Sequence, residues 1–322
     1  MNTLSAKFFI LLSLANFVVS QNAFSEEVPT HIDLAPLTKT ISELREISFQ
    51  AEIQTHLSAE IMKGFGSAYN DIQFKQIIEG WIDSDKFLYK QIYEGVPSEL
   101  NDPYHIAFDG KLFQVYKPKG NYLYFTSNDS TNASEMAGLG LLLDPYEFLL
   151  SKNEMLNIEA ATLSPRQFKN LLSTFEDSLK SFIFEDSNKE NMFFRTNPIK
   201  SQAGSYAYKV TVAKETMLPI AWQKIAENES VIEDYKVLAW SNASPNGMSF
   251  PISAEKTLYS KSGTQLRHEV IKIFNLKFGN EIVEKPSFTF DFRMVSRMHD
   301  VDRNLFINPR SGQVLDGDVL NN

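Results

Sequence analysis

The chain has 322 residues, of which 43% are hydrophobic and 22% are charged, and its formal net charge is -9. This composition is typical of a globular protein and excludes a disordered or collagen-like chain. The absence of cysteine excludes disulfides, thiolate metal sites, a cysteine nucleophile and a lipidated cysteine anchor. The acidic balance makes nucleic acid an unfavourable partner.

The N-terminal segment 1–25 is predicted to be a secretory signal peptide. It carries one lysine, an apolar block over residues 8–14 and small residues near the end, which places the cleavage site before Glu26, with a cut after Ser20 as the alternative. No later run approaches the roughly 20 apolar residues that a membrane span needs. We therefore expect a soluble mature protein outside the cytoplasm.

The first elements after the leader are a helix and a set of strands. Apolar residues spaced by three and four predict an amphipathic helix over 36–47. From Ser48 the period changes to two, which predicts a half-buried strand. Further strands are predicted at 72–83, 86–94, 104–108, 111–117 and 121–127.

Two hairpins connect these strands. Asp109-Gly110 lies between alternating apolar runs and predicts a type I′ turn, and the segment around Pro118 and Gly120 predicts a looser one. Asp109 could also be a catalytic carboxylate, but the turn alone explains the residue.

The middle of the chain departs from the strand pattern. Residues 137–150 are apolar and interrupted by glycine, and Ser164-Pro165 then begins a predicted helix. Strands resume at 179–185, 206–213, 217–227, 230–239, 248–260, 265–278 and 287–292. This order predicts a mainly β (α+β) protein with one large curved antiparallel sheet, a single domain over 26–309 and a flexible tail over 310–322.

Several segments together resemble a known family. They are "ISELREISFQAEIQTHL", "GWIDSDKFLYKQIYEG", "IAFDGKLFQVYKP", "GLGLLLDPYEFLL", "LPIAWQKIAENESVIEDYKVLAW" and "LRHEVIKIFNLKFGNEI" followed by "FTFDF". In their order they resemble the outer-membrane lipoprotein carrier and sorting proteins of the bacterial periplasm, the LolA-like superfamily. The resemblance implies a half-open β-barrel whose concave apolar face is covered by short helices and holds acyl chains. The arginine that controls closure in that family has no assigned match among Arg45, Arg166, Arg195 and Arg267.

A curved sheet too wide for its own side chains to fill would leave a cavity for lipid. The segment 138–150 has the composition of a cover for it, although ordinary core packing explains apolar residues equally well. The predicted lipid-contacting residues are Leu139, Leu141, Leu142, Leu143, Phe148, Leu149, Phe49, Ile53, Phe87, Tyr89, Tyr93, Tyr206, Tyr208 and Val210.

Catalytic and metal motifs are absent from the sequence. The five histidines show no ligand spacing, and His299, Asp300 and Asp302 form at most a weak cation site. We expect no catalytic residue, no metal and no cofactor. The prediction is a monomeric periplasmic carrier that binds lipid or lipoprotein acyl chains and contacts inner- and outer-membrane components transiently. The alternatives are a sensor on the same fold, a secreted hydrolase and a structural module with a filled core.

Overall fold

Within the part of the chain that is described, seventeen strands form one large sheet in the computed structural model. The structure describes residue 32 and residues 46–64, 70–83, 86–97, 101–127, 144–149, 179, 181–201, 204–241 and 249–315. The strands are β1 Glu46–Leu57, β2 Ile72–Asp83, β3 Lys86–Glu94, β4 His105–Phe108, β5 Phe113–Lys117, β6 Tyr122–Thr126, β7 Phe182–Ser187, β8 Asn191–Thr196, β9 Ile199–Ser201, β10 Gly204–Ala213, β11 Pro219–Ala226, β12 Val231–Trp240, β13 Pro251–Tyr259, β14 Gln265–Phe278, β15 Arg297–Asp300, β16 Leu305–Ile307 and β17 Val314–Leu315. Helix α1 spans Ala59–Gly64, and short 3₁₀ helices span Pro118–Gly120, Asp144–Leu149, Gly279–Glu281 and Phe292–Met294.

Two antiparallel meanders build the sheet. Strands β1 to β6 pair in chain order, and so do strands β10 to β14. The pair between β1 and β14 joins the two meanders. Strands β8 and β9 both pair with β10, and β7 pairs with β8. Among the described residues no pair joins the outermost strands, so the sheet is open.

One strand pair departs from the predicted antiparallel pattern. Strand β15 runs parallel to β6, and β16 and β17 continue from it as antiparallel neighbours. The sheet is therefore mixed, with the parallel pair at the edge of the first meander. A parallel pair requires a crossover, which the segment between β14 and β15 provides.

The alternation predicted from residue 48 onward sets the two faces of the sheet. In β1 the buried residues Phe49, Ala51 and Ile53 alternate with Gln50 and Glu52. Residues directly opposite across a strand pair share a face, so this pattern passes from strand to strand. We call the face that carries Phe49 the inner face and the other one the outer face.

A cross-strand contact on the inner face depends on glycine. Phe49 lies opposite Gly80, and a Cβ atom at Gly80 would be only 2.4 Å from the Phe49 ring. No side chain larger than hydrogen fits there unless the ring moves. The glycine lets an aromatic ring lie flat over the neighbouring strand, where it fills the core.

The segment predicted as a strand at 287–292 is not one, and this prediction is wrong. The segment lies across the outer face, where Phe290 N donates to Gln114 Oε1 at 2.7 Å and the Phe290 and Tyr116 rings are 5.7 Å apart. The Phe292 ring lies 5.9 Å from that of Phe125. Phe290 and Phe292 therefore pack on a sheet instead of forming part of one. This segment carries the chain to β15.

Both predicted hairpins form, with one difference in turn geometry. The β4–β5 loop contains four residues, because Phe108 pairs with Phe113. Gly110 has φ of 95°, and Asp109 Oδ1 accepts hydrogen bonds from the backbone N–H groups of Lys111 and Leu112 at 2.8 and 2.7 Å. The predicted type I′ turn is therefore replaced by a loop closed by an aspartate side chain.

Several predicted segments fall outside the described residues. They are the leader, most of the helix at 36–47, whose last residues belong to β1, and the helix after Ser164. The predicted tail from residue 310 contains β17 at Val314–Leu315, and residues 316–322 are outside the described set. In the part of the chain that is described, no helix has the length and apolar character needed to cross a membrane.

Candidate lipid-binding face

The described members of the predicted lipid-contacting set lie on the inner face or on the helix beside it. Most belong to one hydrophobic cluster and are at most 8% exposed: Phe49, Ile53, Phe87, Tyr89, Phe148, Tyr206, Tyr208 and Val210. Tyr93 is half-buried on the same face of β3. Leu139 and Leu141 to Leu143 lie outside the described residues, as does the side chain of Leu149. Contact of any of these residues with lipid stays a prediction.

Aromatic rings form a continuous wall across the second meander. The Tyr206, Tyr208, Trp222 and Tyr235 rings follow one another at centroid distances of 5.8, 5.9 and 5.7 Å, and the last two are stacked. Trp222 and Tyr235 are each 1% exposed. These rings provide a large apolar surface with polar atoms at its edge.

Charged side chains border this wall on the same face. The strand register places Lys256 opposite both Tyr235 and Glu269. Lys256 Nζ lies 5.7 Å from the Trp222 ring centroid and 3.5 Å from Glu233 Oε1. The inner face therefore changes from apolar to charged along these strands.

Arg267 completes the charged group from β14. Its Nε lies 3.7 Å from Glu269 Oε1, and its Nη2 lies 4.0 Å from Glu233 Oε1. Arg195, another of the four arginines considered from the sequence, is on the outer face and pairs with Glu229 at 2.5 Å. Of these two arginines, Arg267 is the one on the inner face.

The 3₁₀ helix Asp144–Leu149, which we call the cover helix, packs against this region. Phe148 is 1% exposed, and its ring lies 5.4 Å from that of Phe182. Glu147 Oε2 accepts a hydrogen bond from Lys256 Nζ at 2.6 Å. Both charged side chains are more than four-fifths buried, so the pair is only weakly screened by solvent. The cover helix is thus attached to the inner face by aromatic packing and by an ion pair.

A second polar group lies on the inner face of the first meander. Gln91 is 1% exposed and lies opposite Ile78, and its Oε1 accepts a hydrogen bond from Gln76 Nε2 at 2.7 Å. Tyr93 follows two residues later on the same face. Burial, followed by the nearby Tyr104 and Asp102, raises the pKa of Tyr93 to about 12. The hydroxyl is therefore neutral at physiological pH.

Residues considered for catalysis or metal binding have structural partners. His299 stacks on the Phe306 ring at 4.3 Å, Asp300 lies 3.7 Å from Arg303, and Asp302 binds Thr126 in β6. These side chains are directed to different partners, and the described part of the chain contains no group of three or more metal-ligating residues. The arrangement fixes β15 to β6.

Two clefts of about 410 and 390 Å³ occur elsewhere on the sheet. The first is lined by residues that include Trp81, Lys277 and Val283, and the second by residues that include His56 and His268. Most of the lining side chains point to the outer face. The inner cavity predicted from the sequence is neither of these clefts and stays a prediction.

Comparison with known proteins gives structural matches only. No protein-family model and no curated protein sequence matches the chain. Among solved structures, similar chains of low sequence identity occur. A domain from Vibrio parahaemolyticus described as an outer membrane lipoprotein-sorting protein aligns with a TM-score of 0.41 and 9% identity, over 80% of this chain and 96% of that chain. A LolA superfamily protein from Nitrosomonas europaea gives 0.37 and 10%, over 80% and 99%.

A third match is to a complex. The Pseudomonas aeruginosa MucA/MucB structure aligns with a TM-score of 0.27 and 10% identity, over 74% of this chain and 92% of that chain. All three TM-scores are below 0.5 and all three identities are at or near 10%.

The charged group on the inner face was not predicted from the sequence. Glu233, Lys256 and Glu269 occupy inward positions on three successive strands, where alternation favours apolar residues. The alternation within a single strand shows which positions face inward, so each charged residue at such a position can be identified from the sequence. Their mutual proximity follows only from the strand register, and the contact of Lys256 with Glu147 joins residues 109 positions apart.

Proposed function

We propose that this protein binds the acyl chains of lipids or lipoproteins on its inner face and carries them across the periplasm. The observation that carries the proposal is the cover helix. Its Phe148 is inserted among inner-face residues, while its Glu147 pairs with Lys256 at 2.6 Å. An apolar face covered by a short helix that an ion pair helps to hold can be uncovered without unfolding the sheet.

The energetics favour acyl chains as the ligand. Transfer of a chain from water to an apolar surface contributes about 0.8 kcal/mol per methylene group, so area alone can supply the affinity. The ring wall from Tyr206 to Tyr235 offers such area. When the cover helix is displaced, Phe148 would leave an apolar gap that a chain can fill.

The remaining parts of the proposal concern context. We propose a periplasmic, non-catalytic monomer that is released after cleavage of residues 1–25 and contacts donor and acceptor membranes transiently. The single domain would extend over 26–309, followed by the tail at 310–322. The acidic net charge supports a partner other than nucleic acid.

Lipid retention tests the proposal. Native mass spectrometry of protein incubated with phospholipid vesicles should show bound lipid, and the protein should accelerate transfer of a labelled lipid between vesicles. Phe148→Ser should shorten the retention time, because the cover helix loses its buried ring. Ile183→Ser is the matched control, since Ile183 is 54% exposed on the outer face of β7.

If the protein binds lipid but does not accelerate its transfer between vesicles, the result would favour the sensor alternative over the carrier. Protein that never takes up lipid, with Phe148→Ser equivalent to the control, would show that the inner face is ordinary core and would refute the proposal.

A further inference from the structure

We propose that Gln91 and Tyr93 form a carbonyl-binding site on the inner face, which recognises the ester or amide linkage of a bound acyl chain. The inference rests on the proposed function and adds a chemical preference to it. The site lies on β3, in the first meander, and the cover helix packs against β11 and β12 in the second.

The Gln91 side chain carries an unsatisfied hydrogen-bond donor. Among the described residues, Gln91 Nε2 is buried and has no hydrogen-bond partner, and the Gln91 side chain lies beside the Tyr93 hydroxyl, whose pKa it lowers against the larger effect of burial. A buried donor without an acceptor is unfavourable, and most such groups in folded proteins do find a partner. A ligand that supplies an acceptor would remove this penalty.

A hydrogen bond from Gln76 orients the Gln91 side-chain amide. Gln76 Nε2 donates to Gln91 Oε1 at 2.7 Å, which fixes the oxygen end of the Gln91 side chain. Turning the amide around would place two NH₂ groups together. In this orientation the nitrogen is the end of the Gln91 amide without a partner among the described residues, and Ile53 and Ile78, opposite the two glutamines, are apolar.

The site favours an uncharged hydrogen-bond acceptor on the ligand. Gln91 is neutral, and the Tyr93 hydroxyl stays protonated at physiological pH, so the site offers hydrogen-bond donors without positive charge. Asp102 is close enough to disfavour ionisation of Tyr93, and its own charge is paired with Lys117 at 3.1 Å. A neutral carbonyl oxygen fits this site better than the carboxylate of a free fatty acid.

The test compares two lipids that differ only in the linkage. Dipalmitoyl phosphatidylcholine has ester carbonyls and no net charge, and its dihexadecyl ether analogue lacks the carbonyls while keeping the chains and the headgroup. The wild-type protein should bind the ester lipid about tenfold more tightly, as one hydrogen bond to a desolvated donor implies. Gln91→Leu should reduce this preference to within about twofold and leave the affinity for the ether lipid unchanged or higher.

Gln114→Leu is the matched control. Gln114 is 0% exposed and its Nε2 also lacks a partner among the described residues, but it lies under the 287–292 segment on the outer face. This variant should keep the full ester preference. If Gln91→Leu does not fold, Tyr93→Phe, which keeps the ring, should lower the preference about threefold.

The results separate this inference from the proposed function. Wild-type protein that binds ester and ether lipids equally would overturn the carbonyl site and leave lipid binding intact, whereas binding of neither lipid would refute both. Retention of the preference in both Gln91→Leu and Tyr93→Phe would also overturn the site. The same comparison with an ester-linked lipopeptide and its ether analogue shows whether the carbonyl belongs to a free lipid or to an acylated protein.

Discussion

Glu147→Gln tests whether the ion pair to Lys256 holds the cover helix on the inner face. The substitution keeps the shape of the side chain and removes its charge. Removing one partner of an exposed pair costs at most about 1 kcal/mol, and of a fully buried pair about 3 to 5 kcal/mol. The Glu147 and Lys256 side chains are 18% and 14% exposed, and Lys256 keeps Glu233 at 3.5 Å.

We therefore expect the closed state to lose roughly 1 to 2 kcal/mol, which corresponds to about a tenfold increase in opening. Hydrogen exchange of the backbone amides in residues 144–149, measured without lipid, should accelerate by this factor while amides in β1 and β14 keep their protection. Lipid uptake should become faster to a similar extent.

Glu229→Gln is the control for this experiment. Glu229 pairs with Arg195 and Lys209 on the outer face and is 51% exposed, so the variant should leave exchange in residues 144–149 unchanged. If Glu147→Gln also leaves that exchange unchanged, the ion pair does not hold the cover helix. If it accelerates exchange throughout the sheet to the same extent, the helix is an inseparable part of the core.

Two further predictions concern the sheet itself. Gly80→Ala should lower the free energy of unfolding by about 1 to 3 kcal/mol in urea titration, because its Cβ would displace the Phe49 ring; an unchanged midpoint would contradict the packing described. The hydrogen bonds from Ser127 and Thr126 lower the pKa of Asp302 from 3.8 to about 2. Because the folded-state pKa is depressed, this stabilisation is present above pH 4 and is lost as the pH falls from about 4 to 2. Asp302→Asn should remove that part of the pH dependence of unfolding, and an identical acid profile in both proteins would show that the contact contributes nothing.

The strands that were predicted best are those with one apolar and one polar face. The predicted limits 72–83, 86–94 and 265–278 agree with β2, β3 and β14. Alternation is a local property, so it can be read without knowing the partner strand. Strand β8 was missed because Phe193 and Phe194 are adjacent, which hides the period of two although burial alternates along the strand.

The wrong strand at 287–292 has a related cause. Phe288, Phe290 and Phe292 do alternate in burial with the residues between them, but Phe290 and Phe292 pack on the outer face of the sheet. Apolar residues at every second position indicate an extended chain with one covered side. They do not specify whether the backbone pairs with a neighbouring strand. The parallel pair between β6 and β15 could not be predicted either, since it follows from where this segment crosses.

The candidate site was only partly accessible from the sequence. Apolar inward residues such as Phe49 and Tyr208 follow from alternation, and all the described members of the predicted set other than Tyr93 are buried. The pairing of Glu147 with Lys256 and the orientation of Gln91 by Gln76 depend on strand register and on the path of the middle segment. Register is a tertiary property and is fixed by the whole sheet.

The position of β1 in the middle of the sheet has a consequence for how the protein folds. β1 pairs with the next strand on one side, but on the other side Ile47 pairs with Phe278. Each meander can form from neighbouring segments, whereas the pairing of β1 with β14 closes a loop of more than two hundred residues at an entropic cost. Such long-range pairing slows folding. The two halves of the sheet should therefore assemble first, and joining them should set the overall rate.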